Sequence, residues 1–125
     1  MKKKKVFDLQ DRCIHYAVRI IKLVEKLPKS STGKYFSYQI LRNSTSIAAN
    51  YGEAQSAESR ADFIHKLKLS LKKLRETEVW LKIIEQAEPI NPNEKLTLLL
   101  KETDELISIL FKSIETSKKK DTDEK

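Results

Sequence analysis

Residues 43–54 read NSTSIAANYGEA, and the fold of the chain depends on whether they form a loop or a helix. Asn, Ser, Thr and Gly at this density are typical of loops. At helical spacing, however, five polar residues share one face: Gln39, Arg42, Ser46, Asn50 and Glu53. Small residues also let a neighbouring helix approach closely, and Ser and Thr can hydrogen-bond to the carbonyl one turn earlier. The sequence therefore favours a closely packed helix over a functional loop.

Hydrophobic periodicity predicts three more helices around this segment. From Leu9 to Leu27 apolar residues recur at steps of four and three, with Asp8 as the N-cap and Pro28 ending the helix. The predicted helices are residues 8–27, 34–55, 58–87 and 92–117. The sequence thus predicts an all-α protein, an up-down-up-down four-helix bundle in one domain of residues 1–118, followed by a disordered charged tail at 119–125.

Two further helix starts carry capping signals. Ser59 with Asp62 three residues later matches a capping box. Asn91 fits an N-cap, followed by Pro92 at the first helical position and Glu94 at the third. These signals predict that the third and fourth helices begin close to residues 59 and 91.

The third helix carries an acidic residue on its apolar seam. Glu78 lies between Leu74 and Leu81, and a buried carboxylate must be paired or neutralised. We expect Glu78 to bond to polar residues of the second helix. The predicted polar interhelical network consists of Arg42, Ser46, Asn50, Glu53, Arg60 and Glu78.

Composition excludes several classes of protein. A chain of 125 residues with 39% hydrophobic and 34% charged residues and one Cys can build a single core, but no disulfide framework. The start MKKKK is followed by charges where a signal peptide would be apolar, and no apolar run reaches membrane-spanning length. We therefore expect a cytoplasmic protein that does not bind a membrane.

No pattern of catalytic or metal-binding residues emerges. Cys13 lies on the apolar seam of the first helix, and His15 and His65 are 50 positions apart, without a third ligand at metal-site spacing. The acidic residues lack the Glu-x-x-His pattern of di-iron bundles. We expect neither an enzyme nor a cofactor or metal site.

The net charge of +7 resides mainly at the amino end, where residues 1–34 contain ten Lys or Arg and three acidic residues. Basic rows on the first and third helices fit phosphate contacts, a solvated face or an acidic protein partner. The candidate nucleic-acid contacts are Arg12, Arg19, Lys22, Lys26, Lys66, Lys68, Lys72, Lys73, Arg75 and Lys82, together with the Lys2 to Lys5 tail.

Residues 41–81 resemble the signature of the ribosomal-RNA intervening-sequence protein family. The shared motifs are an SI-x-x-N-x-x-E-A core, an SR-x-DFI-x-KL segment and an ETE-x-WL close. The matching residues are Ser46, Ile47, Asn50, Glu53, Ala54, Ser59, Arg60, Asp62, Phe63, Ile64, Lys66, Leu67, Glu76, Thr77, Glu78, Trp80 and Leu81. Gly52 stands where the relatives often carry a basic residue, so the resemblance implies no nucleic-acid contact at that position.

This resemblance implies a left-handed up-down bundle that assembles as a ring-like homopentamer, with no established enzymatic activity. Related bundles serve as accessory proteins of diversity-generating retroelements and bind a reverse transcriptase and nucleic acid. The leading hypothesis is therefore a non-enzymatic oligomeric scaffold or binding protein that binds RNA or DNA through its basic faces. The alternatives are an accessory protein that binds only a protein partner such as a reverse transcriptase, and a metal-dependent hydrolase. Exposed apolar residues are candidates for the subunit contacts, namely Tyr35, Phe36 and Trp80.

Overall fold

The computed structural model describes residues 8–92 and 96–123. These residues form four α-helices: α1 (Leu9–Val24), α2 (Ser31–Gln55), α3 (Arg60–Gln86) and α4 (Thr97–Asp123). A short 3-10 helix, Glu88–Ile90, lies between α3 and α4. Within the described ranges there is no β-strand, so the prediction of an all-α protein with four helices is confirmed.

Residues 43–54 lie inside α2, which continues without a break to Gln55. Their hydroxyl groups are satisfied within the helix itself. Thr45 Oγ1 donates to the carbonyl oxygen of Leu41 at 3.0 Å, and Ser44 Oγ donates to the same oxygen at 3.2 Å. The residues that resemble a loop by composition are therefore compatible with a helix, because the Ser44 and Thr45 hydroxyls find acceptors one turn earlier.

The predicted N-caps of α1 and α3 are confirmed. The Asp8 carboxylate accepts a hydrogen bond from the Asp11 N–H at 2.8 Å, and Ser59 Oγ accepts one from the Asp62 N–H at 3.0 Å. Helix α2 begins three residues before the predicted position, because Ser30 Oγ caps it by accepting from the Gly33 N–H at 3.1 Å.

Both predicted ends of the fourth helix need correction. Asn91 is not the N-cap of α4, which begins at Thr97; Asn91 ends the 3-10 helix, and its Nδ2 donates to the Glu85 carbonyl at 2.8 Å. The predicted position of Glu94 in the first turn lies outside the described residues. At the other end α4 continues to Asp123 through the predicted tail, since this segment contains helix-forming Lys residues and no Gly or Pro.

Contacts between the helices show which neighbours are antiparallel. Residue numbers rise along one helix and fall along its partner in the α2–α3 contacts, which join Asn43 to Glu76, Ile47 to Ser70 and Glu53 to Lys66. Helices α1 and α4 follow the same order, because Arg12 contacts Glu102 and Glu105, whereas the later residues Arg19, Lys22 and Lys26 line a groove with Leu96, Leu98 and Leu99. With α1 also against α2, and α3 against α4, the arrangement fits a four-helix bundle.

One hydrophobic cluster fills the space between the helices. Its largest fully buried side chains are Tyr16, Ile20, Ile40, Ile47, Leu67, Leu74, Leu81, Ile84, Ile90, Leu106 and Leu110. On α1, however, part of the wide apolar stripe stays outside this core. Ile14, Val18 and Ile21 are 39% to 49% exposed at helical steps of four and three, and we call these three residues the α1 strip.

Candidate functional site

The predicted polar network lies mainly in the groove between α2 and α3, where its members make contacts both within α2 and across to α3. Asn50 Nδ2 donates to the Ser46 carbonyl at 3.0 Å and to Ser46 Oγ at 3.1 Å, within α2. Glu53 pairs across the groove with Lys66 of α3 at 2.8 Å. Arg60, half-buried, is the first residue of α3. The groove therefore combines a local amide contact with one interhelical ion pair.

The centre of the groove contains a buried amide that the sequence reasoning missed. Asn43 is 1% exposed, and its Nδ2 donates to Glu76 Oε1 at 3.3 Å. Lys73 lies 3.6 Å from the same carboxylate oxygen. One turn further along α2, buried Ser70 of α3 donates to the Ile47 carbonyl at 2.9 Å. The sequence signal for this contact was a polar residue, Asn43, at helical spacing between the buried apolar residues Ile40 and Ile47.

The seam position assigned to Glu78 is occupied instead by Thr77. Thr77 is fully buried between Leu74 and Leu81, whereas Glu78 is half-buried. Thr77 Oγ1 donates to the Lys73 carbonyl at 2.8 Å, so its polar atom is satisfied inside the helix without a charged partner. The carboxylate that reaches α2 is therefore Glu76, and the negative charge of Glu78 acts on Tyr16 of α1 by raising the pKa of its hydroxyl, after the larger effect of burial.

Aromatic side chains close one end of the α2–α3 groove. Trp80 makes edge-to-face contacts with Phe36, at a centroid distance of 5.5 Å, and with Tyr35, at 6.1 Å. One turn along α2, the guanidinium carbon of Arg42 lies 5.6 Å from the ring centroid of Tyr38, a cation–π geometry. Phe36 and Trp80 are half-buried, whereas Tyr35 and Tyr38 are exposed. This end of the groove therefore presents two exposed tyrosines on a partly buried aromatic base.

Three of the predicted nucleic-acid contacts are paired with acidic side chains. Arg12 donates to both carboxylate oxygens of Glu102, at 2.7 and 3.2 Å, and to Glu105 at 3.2 Å. The hydrogen bond to Glu102 raises the pKa of Arg12, and the one to Glu53 raises that of Lys66. Lys73 pairs with Glu76, as described above. Arg12 and Lys66 link different helices and Lys73 pairs within α3, which weakens the case for phosphate contacts at these positions.

Other predicted cations remain on the outer face of α3. Lys68, Lys72 and Arg75 are exposed and line one shallow groove together with Leu71, Glu76 and Val79. We call these three cations the α3 ridge. None of them forms an ion pair with a residue that the structure describes. Lys82 is exposed about two turns beyond Arg75 along the helix.

Three of the predicted cations of the first helical segment line a different groove from the α3 ridge. Arg19, Lys22 and Lys26 line a second groove between α1 and the start of α4, together with Glu25 and Leu98. Like the α3 groove, this groove combines three cations with one acidic side chain and an exposed apolar residue. The Lys2 to Lys5 tail lies outside the described residues.

The described residues offer no metal centre and no membrane-spanning helix. Among them, no three His, Cys, Asp or Glu side chains are grouped closely enough to hold a metal ion. Cys13 is buried in the core, and burial raises the pKa of its thiol to about 12, so it stays protonated near neutral pH. None of the helices in the described part combines the length and apolar character needed to cross a membrane.

Comparison with known proteins agrees with the resemblance seen in residues 41–81. Residues 5–112 match the family model described as 23S rRNA-intervening sequence protein. A crystal structure from Bacteroides thetaiotaomicron VPI-5482, of a protein with unknown function from the S23 ribosomal protein family, is 38% identical and has a TM-score of 0.77, over 86% of this chain and 98% of that one. No curated protein matches the chain significantly. The chain belongs to the 23S rRNA-intervening sequence protein family.

Proposed function

We propose that this protein is a non-enzymatic, self-associating helical bundle of the cytoplasm that binds RNA or DNA through the phosphates. The observation that carries the proposal is the α3 ridge, in which Lys68, Lys72 and Arg75 are exposed on one helix face without an acidic partner among the described residues. The other predicted basic positions contribute less, because Arg12, Lys66 and Lys73 are already paired.

The ridge is short, so its binding strength depends on repetition. Lys68 and Arg75 are seven residues apart, which corresponds to about 10 Å along the helix axis. Three cations can contact only a few phosphates, and each contact alone is weak at physiological salt. In a symmetric oligomer the same ridge recurs on every subunit, and a nucleic acid that spans several ridges binds with much higher avidity.

Support for self-association comes from the α1 strip. Its three aliphatic side chains are partly exposed on one face, and a contiguous apolar face of this kind is typical of an interface. A ring-like homopentamer, as the family resemblance implies, uses two different surfaces of each subunit. The α1 strip supplies one of them.

The absence of catalysis in this proposal rests on the chemistry of the side chains. Cys13, the single cysteine, is buried with a raised pKa, and buried Thr103 uses its hydroxyl in a hydrogen bond to the Leu99 carbonyl. Neither group has the exposed, activated character of a nucleophile.

A second candidate function is binding of an acidic protein segment, such as part of a reverse transcriptase, without a direct role for nucleic acid. Val79 is exposed and Leu71 is half-buried in the same groove as the ridge cations. An amphipathic helix with acidic and apolar residues would complement this mixture. The titration below separates the two functions, because such a protein would leave oligonucleotides unbound.

The proposal is tested by titrating the full-length protein with a labelled single-stranded oligonucleotide at several salt concentrations. We expect affinity to fall as salt rises, because the cations displace condensed counterions. Lys68→Glu combined with Lys72→Glu should weaken binding at least ten-fold. The salt slope should also fall by roughly one unit for each phosphate that the variant no longer neutralises.

The matched control combines Lys101→Glu with Lys112→Glu, which reverses two charges at exposed positions of α4 that do not line the α3 groove. It changes the net charge in the same direction and should reduce affinity only slightly. Equal losses from the ridge variant and from this control would mean that net charge alone acts. Binding that does not respond to salt would overturn the phosphate-contact model.

A further inference from the structure

We propose that Tyr35 and the Arg42–Tyr38 pair form a base-stacking platform, which makes the α2–α3 surface selective for single-stranded nucleic acid. This inference rests on the proposed function, because it adds contacts to the bases beside the phosphate contacts of the α3 ridge. The platform would be the part of the site that distinguishes a single strand from a duplex.

The two tyrosines are largely exposed and do not belong to the hydrophobic core. Tyr35 is 52% exposed and Tyr38 is 60% exposed. They are three residues apart on α2, so they lie on neighbouring turns of the same outer face, separated by about 4.5 Å along the axis. An exposed aromatic pair at this spacing can contact two successive bases of a flexible strand.

Tyr35 is held in place by its neighbours rather than free to rotate into solvent. It makes edge-to-face contacts with Phe36, at 5.5 Å between ring centroids, and with Trp80 of α3, at 6.1 Å. Phe36 and Trp80 are themselves half-buried against the core. A ring fixed in this way loses little conformational entropy when a base stacks on it.

Arg42 extends the platform by one more turn. Its guanidinium carbon lies over the Tyr38 ring at 5.6 Å from the centroid, and both side chains are exposed. Guanidinium planes stack on bases, and they also contact phosphates. The Arg42–Tyr38 pair is therefore one stacking unit and Tyr35 is the second.

The platform on α2 begins at the Arg75 end of the α3 ridge. The Asn43–Glu76 hydrogen bond and the Tyr35–Trp80 contact place residues 35–43 of α2 alongside residues 76–80 of α3. Arg42 and Arg75 each precede one partner of the Asn43–Glu76 hydrogen bond, and packed helices are about 8–10 Å apart, so the two backbones are adjacent at this level. A strand whose phosphates follow the α3 ridge can therefore direct its bases onto α2.

A duplex cannot use this arrangement in the same way. Its bases are stacked on one another and present only their edges in the grooves, so a tyrosine cannot reach their faces. The α3 ridge alone would bind a duplex and a single strand through phosphates, whereas the platform would add affinity only for unstacked bases.

The decisive experiment compares two oligonucleotides with the same number of phosphates, an oligo-dT and an oligomer of the same length made of abasic sites. Both are titrated at one salt concentration into the full-length protein and into Tyr35→Leu and Tyr38→Leu variants. We expect oligo-dT to bind at least five-fold more tightly than the abasic strand, and each Leu variant to lose this preference by about five-fold or more, as removal of a stacking aromatic does elsewhere. The fluorescence of Trp80, the single tryptophan, should also be altered by oligo-dT.

Three controls separate stacking from structural effects. Tyr38→Phe keeps the ring and should bind like the wild type. Phe111→Leu removes a 50% exposed aromatic from α4 and should leave both affinities unchanged. Light scattering shows whether each variant keeps the oligomeric state of the wild type, which detects a subunit contact made by the same tyrosines.

The outcomes distinguish this inference from the function on which it rests. Equal affinity for oligo-dT and the abasic strand would overturn the platform while leaving phosphate binding intact. A loss of abasic binding in Tyr38→Leu, or a change in its oligomeric state, would assign the tyrosines a structural role and would also overturn it. If neither strand binds, the proposed function fails together with the platform.

Discussion

Tyr16 and Thr103 form a hydrogen bond of 2.7 Å inside the core, between α1 and α4. Thr103 Oγ1 donates its one hydrogen to the Leu99 carbonyl at 2.8 Å, so the Tyr16 hydroxyl must be the donor in the contact between the two side chains. Burial raises the pKa of Tyr16, which keeps this donor protonated. The bond joins the first and last helices at a point that water does not reach.

Thr103→Val should therefore be costly although it preserves the side-chain shape. The variant leaves the buried Tyr16 hydroxyl without its acceptor, and an unsatisfied buried polar group costs about 1–3 kcal/mol. Urea unfolding measures the loss. The double variant Tyr16→Phe with Thr103→Val removes both partners, and its stability should recover part of this cost. A double variant less stable than the sum of the two single losses would contradict this account.

Because the Cys13 thiol is buried, the free energy of unfolding should fall as the pH becomes alkaline. The pKa of this thiol is raised by burial from 9.0 to about 12, so above pH 9 the unfolded chain releases this proton while the folded chain keeps it. The stabilisation is complete below pH 9 and is lost as pH rises toward 12, by up to about 1.4 kcal/mol per pH unit.

Urea unfolding under reducing conditions tests this dependence. Between pH 8 and pH 10 the wild type should lose about 1 kcal/mol more than Cys13→Ala, which has no thiol to titrate. The comparison with the variant cancels the contribution of the buried tyrosines, which also begin to titrate in this range. Parallel pH curves for the two proteins would show that Cys13 is ionised equally in the folded and unfolded chains.

At the scale of single residues, periodicity located the core well and polar residues poorly. The apolar members of the α3 seam, Leu74 and Leu81 among them, are buried as expected. The spacing admits either Thr77 or Glu78 between these two leucines, and only the hydrogen bond from Thr77 to its own helix decides the choice. Periodicity alone does not include such local hydrogen bonds, so the buried Asn43 was also missed.

The connection between α1 and α2 depends on the one glycine that has no room for a side chain. A Cβ at Gly33 would overlap the carbonyl oxygen of Pro28, a backbone atom that cannot move without disturbing the turn. At Gly52, in the interior of α2, an added Cβ would lie 3.0 Å from Gln10 Oε1, which is the end of a flexible side chain. Substitution of Gly52 therefore provides a control for substitution of Gly33, because only Gly33 has backbone atoms in the space of a Cβ.

We expect Gly33→Ala to destabilise the protein by about 1–3 kcal/mol, the usual cost of forcing atoms into a packed site. Gly52→Ala should change stability by less than about 1 kcal/mol in either direction. Alanine favours the helix there by roughly 0.5–1 kcal/mol, and displacement of Gln10 partly offsets the gain. Thermal or urea unfolding of both variants provides the measurement, and equal losses would contradict the steric explanation.

At the scale of elements, helix ends were predictable where a cap is local and unpredictable where tertiary contacts decide. The caps at Asp8 and Ser59 depend on neighbouring residues and were confirmed. Asn91 also has the composition of a cap, but its side chain binds the Glu85 carbonyl and closes the end of α3 instead. The sequence contains the donor and cannot show which of two nearby helix ends receives it.

Across the whole molecule, the charges separate into those that join helices and those that face outward. Arg12 clamps α1 to α4 through Glu102 and Glu105, and Lys66 joins α3 to α2 through Glu53. The sequence could predict basic rows on helices, but not which of their members find an acid from a distant part of the chain. One subunit therefore has two separate outer surfaces, the basic α3 ridge and the apolar α1 strip.

If the α1 strip is a subunit interface, a single charge at its centre should dissociate the oligomer. Val18→Glu places a carboxylate between Ile14 and Ile21, and association would then bury an unpaired charge. The variant affects every interface of a symmetric ring at once, so the cost recurs at each contact. The folded subunit should be little affected, because Val18 is exposed in it.

Light scattering at micromolar concentration gives the result directly. The wild type should have about five times the 14.5 kDa mass of one chain, and Val18→Glu should have the mass of one chain with an unchanged helical circular dichroism spectrum. Leu98→Glu, which adds the same charge at a 69% exposed leucine of α4, should keep the wild-type mass. A monomeric wild type would remove self-association, and with it the avidity that a three-cation ridge needs to bind nucleic acid at physiological salt.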